Sequence, residues 1–283
     1  MNVSDVMTTR SEVVTVEVPG TRNDALAYLQ ERGFSSLPVI KRTDDGEEFR
    51  GIVTRESLIR RPDEDQLALL MVEVPSVDQA TTIEELCELI VSRRERRIPV
   101  VDGRLEGIVT VTDVIRAVAN GDIEGETAVE ECATEDVNAT YTETPLTVVE
   151  PEISYANVPY AVVLDDEADM AGIVTEVDII DVARIVEGEA GTGDSIAGQD
   201  DDWKWEGIKA VGNRYLPTRN VEIPAAPVRE FMTDDVVTVS TSTSLQDAAQ
   251  LMIRHDVEQV PMVSGDDLVG IVRDVDVLEA LYD

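Results

Sequence analysis

Histidine occurs once in the chain, as His255, and cysteine twice, as Cys87 and Cys132. A single histidine rules out metal clusters of several His ligands, and no Ser–His–Asp arrangement is expected. Two cysteines in a chain of 283 residues do not make a disulfide framework, so reduced, structural thiols are expected. Lysine is almost missing: Lys41, Lys204 and Lys209 are the only three. No apolar run reaches the ~18–20 residues that a spanning helix needs. Residues Met1 to Arg10 show neither the basic flank nor the apolar stretch of a signal peptide, and a cytoplasmic location is expected.

Carboxylate is what the chain has in excess. Asp and Glu total 59 against 23 Lys plus Arg, a net charge of −36 at pH 7, and they are spread along the whole sequence. Hydrophobic residues make up 43%, normal for a globular protein, so the charge does not signal disorder. Self-repulsion of this size destabilises a compact state in dilute buffer. At ~1 M salt the Debye length falls to about 3 Å and most of that repulsion is screened. An acidic, lysine-poor chain with a normal apolar content resembles cytosolic proteins of extreme halophiles. Such a surface repels phosphate backbones, so neither nucleic acid nor an anionic membrane is an expected partner.

One phrase recurs four times: Gly51-Ile52-Val53-Thr54, Gly107-Ile108-Val109-Thr110, Gly172-Ile173-Val174-Thr175 and Gly270-Ile271-Val272-Arg273. An Asp follows three residues later in three copies, as Asp113, Asp178 and Asp276, while the first has Ser57. Upstream of each phrase stands an X-Pro step: Leu37-Pro38, Ile98-Pro99, Val158-Pro159 and Val260-Pro261. A third element, Val-x-x-x-Met-Thr, opens two copies, as Val3…Met7-Thr8 and Val228…Met232-Thr233. Three features in one order define an internal repeat.

The last copy reads as β-α-β-β-α. Val236 to Val239 is a β-branched strand. Ser244 caps a helix with Leu245, Ala248, Leu251 and Met252 on one face. Two short strands flank the turn at Gly265-Asp266-Asp267, and a final helix starts near Asp274. Copies one and two follow the same order. In copy three, Pro151 falls inside the first helix, where proline costs ~3 kcal/mol or more, so that helix is expected to end before Glu152.

The fold class is therefore α/β (α+β), with repeats at 1–62, 67–121, 127–188 and 228–283. One such unit leaves a sheet face it cannot cover alone, so copies one and two are expected to pair, and copies three and four. The connection 189–227 begins with a Gly- and Asp-rich stretch that reads as a linker. It then carries Trp203, Lys204, Trp205, Lys209, Arg214 and Arg219, a basic island in an acidic chain.

This arrangement, with its Gly-Ile-Val-Thr-x-x-Asp signature, resembles the cystathionine-β-synthase (CBS) repeat, whose pairs form Bateman modules. The resemblance covers most of the 283 residues, leaving out mainly the 189–227 segment. In size and layout the chain resembles the archaeal group similar to the γ subunit of AMP-activated protein kinase. The resemblance implies a non-catalytic sensor that binds AMP, ADP or ATP and signals to a regulated protein, with homodimerisation a further option. S-adenosylmethionine, a dinucleotide, or a structural module without ligand are the alternatives.

The family's use of the signature carries over to Thr110 and Asp113, to Thr175 and Asp178, and to Asp276. The Thr ends a strand and the Asp lies in the first turn of the next helix, where N–H groups and the dipole suit an anion. A carboxylate there can accept from both ribose hydroxyls. Asp near a helix start is also a common capping residue, and that reading stays open. Arg97, just before Ile98-Pro99, stands where nucleotide-binding members carry a phosphate-contacting Arg. Aligned on the prolines, its counterparts are Ser36, Asn157 and Gln259. Arg93, Arg94 and Arg96 crowd the same helix end and read as solvated. Arg273, in place of Thr, is a second phosphate candidate. Arg55 follows the Thr of copy one, which lacks the Asp.

Overall fold

The computed structural model describes residues 1–31, 36–44, 46–54, 57–58, 64–189, 217–265 and 267–282. Copy one contains α1 (Val3–Val6), β1 (Thr8–Thr9), β2 (Val16–Glu17), α2 (Arg22–Glu31), β3 (Ser36–Thr43) and β4 (Gly46–Thr54). Copy two follows with α3 (Leu67–Leu70), α4 (Ile83–Arg93), β5 (Arg97–Asp102), β6 (Arg104–Thr110) and α5 (Val111–Asn120). Copy three has β7 (Ala139–Tyr141), α6 (Leu146–Ala156), β8 (Tyr160–Leu164), β9 (Met170–Thr175) and α7 (Glu176–Val182). A two-stranded antiparallel ribbon, β10 (Arg184–Glu189) and β11 (Pro217–Glu222), brackets the long connection. Copy four closes the chain with β12 (Val239–Ser240), α8 (Leu245–His255), β13 (Gln259–Ser264), β14 (Asp267–Arg273) and α9 (Asp274–Glu279). These elements group into two compact units. One holds Met1–Thr134, Val237–Met262 and Ile271–Asp283, the other Glu135–Val236 and Val263–Gly270.

The leading segment of each copy completes its neighbour rather than itself. In copy one, Thr8 and Thr9 pair with Ile108 and Gly107 of copy two. Val72 of copy two pairs in return with Ile52 of copy one. Thr134 of copy three bridges Ile271 of copy four, and Thr233 of copy four bridges Ile173 of copy three. The first residue of each leader is an apolar anchor, and Val3, Leu67, Val129 and Val228 are all fully buried. Leu67 and Leu70 sit in one cluster with Val16, Ala25, Leu37 and Val53 of copy one. Val228 likewise joins Leu146, Val149, Ile153 and Val174 of copy three. This exchange answers the open-face problem that a single repeat poses. All four copies carry the leader, although only two spell it Val-x-x-x-Met-Thr. Leu67…Met71-Val72 and Val129…Ala133-Thr134 do the same work.

The exchange also explains the glycine of the signature. A Cβ on Gly107 would stand 2.4 Å from the Thr8 carbonyl oxygen, on Gly172 2.7 Å from that of Thr233, and on Gly51 2.6 Å from that of Val72. Each glycine is the place where a foreign backbone crosses. Gly107→Ala should therefore destabilise the protein by about 1–3 kcal/mol, the usual cost of overpacking. Urea unfolding at molar KCl measures it, and a change below ~0.5 kcal/mol would mean the leader can lift away freely.

The helix of copy three runs through Pro151, contrary to expectation: α6 spans all eleven residues from Leu146 to Ala156. Proline removes one N–H bond from the helix, but Leu146, Val149 and Ile153 on one face are buried to 1% exposure or less. Each such side chain contributes about 1.5–3 kcal/mol on burial, enough to outweigh the local defect. In copy four the helix expectations hold, with the Ser244 hydroxyl accepting from the Asp247 N–H at 3.1 Å. Its first strand, however, covers only Val239 and Ser240.

Candidate functional site

In copy two, β6 delivers Thr110 to the start of α5, and a reciprocal capping box fixes the junction. The Thr110 N–H and hydroxyl donate to Asp113 Oδ2 at 2.9 and 2.8 Å, and the Asp113 N–H donates to the Thr110 hydroxyl at 3.2 Å. The remaining oxygen, Oδ1, accepts from Arg116 at 3.0 Å. That arginine is 52% exposed, so the contact is a surface i,i+3 pair of small energetic weight and easily displaced. Val111 N–H is bonded to the Arg96 carbonyl at 3.1 Å.

Arg97 begins β5 and lies directly across from Thr110 in the antiparallel register. It is half-buried, and its side chain makes no hydrogen bond or ion pair among the described residues. Burial, and then the charge of Arg96, push its guanidinium below the usual arginine range, while Glu258 pulls the other way. The structure thus holds a partly desolvated cation facing the end of the signature strand.

Arg96 behaves differently and was underrated by the sequence. Arg93 and Arg94 are exposed as expected, but Arg96 reaches into copy four. It donates to both carboxylate oxygens of Asp274, Oδ1 at 3.2 Å, and meets Glu258 at 2.9 Å. Asp274 is only 5% exposed. Burial opposes the Arg96 charge, yet the two carboxylates outweigh it and hold its pKa above the usual value. The ion cluster sits where helices of the two copies meet, α5 packing on α8 and α9, and α4 on α9. A hint was available in the sequence: Asp274 and Glu258 occupy in copy four the positions of Val111 and Arg96 in copy two. A buried-face charge in one copy calls for a partner of opposite sign.

The other copies use the same junction with different chemistry. Thr175 and Asp178 repeat the box, with the Thr175 N–H and hydroxyl each 2.8 Å from Asp178 Oδ2. Glu176 between them is exposed. In copy one, Ser57 substitutes for the Asp as a cap: its N–H donates to Thr54 Oγ1 at 3.0 Å and its hydroxyl accepts from Thr54 N–H at 3.1 Å. In copy four, Arg273 turns onto its own box. Its Nε donates to Asp276 Oδ1 and Oδ2 at 3.1 and 3.0 Å, and Asp276 is 3% exposed. The Arg273 charge is already matched within its own repeat.

In copy three the proline does not mark the same strand position as in copies one and two. Copy three pairs Tyr160 with Thr175 and Val163 with Gly172, so Tyr160, not Asn157, is the counterpart of Arg97. Asn157 is the left-handed residue that ends α6, equivalent to Arg94 after α4 and Asp256 after α8. The X-Pro step of copy three lies earlier in the link between helix and strand, and it misled the alignment.

Arg55, Trp203, Lys204, Trp205, Lys209 and Arg214 lie outside the described residues. Burial pushes the Cys87 thiol up to about 12 and that of Cys132 to about 11, so both stay protonated and unreactive near neutral pH. Among the described residues no helix is long and apolar enough to cross a membrane, and no group of three His, Cys, Asp or Glu is placed to hold a metal ion.

The family model of the CBS domain matches residues 3–64, 68–120 and 228–283, more than half of the chain. Copy three lies outside those matches. A protein of Methanocaldococcus jannaschii described as uncharacterized is 28% identical over 284 residues, 99% of this chain and 62% of its own length. The chain thus spans about three fifths of that relative. A Bacillus subtilis protein, also described as uncharacterized, is 31% identical over 120 residues, 40% of this chain and 78% of the relative. Among solved structures, an uncharacterized conserved protein from Pyrococcus horikoshii is 25% identical with a TM-score of 0.70, covering 99% of this chain and all of the other. A protein of M. jannaschii proposed as an archaeal homolog of g-AMPK has 21% identity and a TM-score of 0.68, with 99% of both chains covered. That likeness is one of fold.

Proposed function

The chain belongs to the CBS-domain family, and from that premise we propose that it is a non-catalytic regulatory protein that takes an adenine nucleotide, AMP, ADP or ATP, at copy two. The observation that carries this reading is Arg97, half-buried, without a partner among the described residues, and in register opposite Thr110. A buried cation without a counter-ion is costly, and a phosphate would supply one. Thr110 offers a hydroxyl beside it. Asp113 takes the ribose: its Oδ1 is bonded only to the exposed Arg116, which two ribose hydroxyls can displace.

The copies are unequal as phosphate sites. Copy four has Arg273, but Asp276 engages it. Copy three has a buried Tyr160 where copy two has Arg97, and the exposed Glu176 close by. It suits a cationic ligand without phosphate, such as S-adenosylmethionine, better than AMP. Copy one lacks the Asp. Fewer than four equivalent nucleotide sites should therefore be found.

Asp113→Asn separates binding from capping. Asparagine keeps the shape and can still cap α5, so stability should change little. It cannot accept from two hydroxyls, and one charge-assisted bond of ~1.5–3 kcal/mol corresponds to a roughly tenfold to hundredfold loss of affinity. Calorimetry with AMP at molar KCl reads it. Lower stability with unchanged affinity would leave Asp113 a cap alone. No binding of AMP, ATP or S-adenosylmethionine to the unaltered protein would favour a purely structural module.

A further inference from the structure

The proposed phosphate cation does not stand alone. Arg96, its chain neighbour, holds Asp274 and Glu258, the latter at 2.9 Å. The Val111 N–H bonds the Arg96 carbonyl, and the Asp274 N–H bonds the Glu258 carbonyl at 2.8 Å, which ties the two junctions into matching positions. The four side chains Arg96, Arg97, Glu258 and Asp274 sum to zero formal charge. Arg96 is spent on two carboxylates, and Arg97 alone is left to face a ligand.

We infer that Glu258, on copy four, sets the number of phosphates that the copy-two site accepts, favouring a nucleoside monophosphate over a triphosphate. This rests on the nucleotide reading given above. A monophosphate meets Arg97 and is compensated. Each further phosphoryl group adds about one negative charge, and the charges that act on Arg97 are those of Arg96, already committed to two carboxylates, and of Glu258. Such charges meet Glu258, held 2.9 Å from the neighbouring Arg96. Asp274 is buried and doubly held by Arg96, so its charge is the better matched of the two. Glu258 has a single contact and its side chain is 56% exposed, which leaves its field the more available to an incoming anion. That Glu258 also raises the Arg97 pKa fits a position close enough to act on what Arg97 binds. Asp274 is buried and screened by salt less than the outer surface, whereas the exposed Glu258 acts only at short range, which is why the measurement is made at low KCl.

Glu258→Gln removes the charge and keeps an acceptor for Arg96, and its exposure makes a folding defect small. The control is Glu167→Gln, an exposed carboxylate on the turn of copy three that loses the same net charge. Affinities for adenosine, AMP and Mg²⁺-free ATP are measured by calorimetry at the lowest KCl at which each protein stays folded. Glu258→Gln should raise ATP affinity about threefold to tenfold more than AMP affinity and leave adenosine unchanged, an effect expected from removing one charge at short range. The control should leave the ATP-to-AMP ratio where it is. If AMP still binds and the ratio does not move in Glu258→Gln, or moves equally in the control, Glu258 is not the discriminator while the nucleotide reading survives. If the unaltered protein binds neither AMP nor ATP, both ideas fall together.

Discussion

In 3 M KCl the protein should unfold cooperatively at high temperature, and in 0.1 M KCl it should have lost most of its structure. The cause is the net charge of −36. A compact chain of this length has a radius of about 20–25 Å. Spreading the charge over such a sphere and applying Coulomb's law with screening gives a change in self-repulsion on the order of 10 kcal/mol between 0.1 and 1 M salt. The unfolded chain spreads the same charges further apart and gains less from salt. That difference equals the whole stability of an ordinary domain. Circular dichroism melts across a KCl series provide the check, with a sorbitol series to separate screening from solute exclusion. A melting temperature constant from 0.1 to 3 M KCl would show that the carboxylates are already compensated in the fold.

Arg96→Ala should be the most damaging single substitution in the ion cluster. It leaves Asp274, 5% exposed, without its cation. Breaking a buried pair from one side costs about 3–5 kcal/mol, because an uncompensated charge remains inside. The double variant Arg96→Ala, Asp274→Ala removes both charges and should recover most of that loss. Arg97→Ala, by contrast, removes a cation that no described residue holds, and stability should barely change or even rise. Urea unfolding at fixed molar KCl compares the three. Equal losses for Arg96→Ala and Arg97→Ala would contradict the division of labour between the two neighbouring arginines.

The repeat and its β-α-β-β-α order were legible because glycine, proline and β-branched residues mark turns and strands locally. The pairing of copies followed from the need to cover an exposed sheet face. How they pair was not legible. Leu67…Met71-Val72 and Val129…Ala133-Thr134 lack the Met-Thr spelling, and their part in the exchange shows only in the structure, as burial of Leu67 and Val129 and backbone pairing of Val72 and Thr134. Pro151 was weighed by its local cost, whereas the buried face of Leu146, Val149 and Ile153 decided the outcome. At the site, the capping boxes could be read from Thr-x-x-Asp spacing. The contrast between Arg96 and Arg97 could not. Two adjacent arginines look alike in a sequence, and only the position of Asp274 and Glu258, some 160 to 180 residues further on, assigns one to structure and leaves the other uncommitted.

Calorimetry of Arg97→Gln with adenosine and AMP at molar KCl decides whether Arg97 receives a phosphate. Adenosine has no phosphate to lose. The variant should bind it as the unaltered protein does, while AMP affinity falls by roughly tenfold or more, the loss expected of one charge-assisted pair. An equal loss for adenosine and AMP, or no loss for AMP, would contradict the assignment.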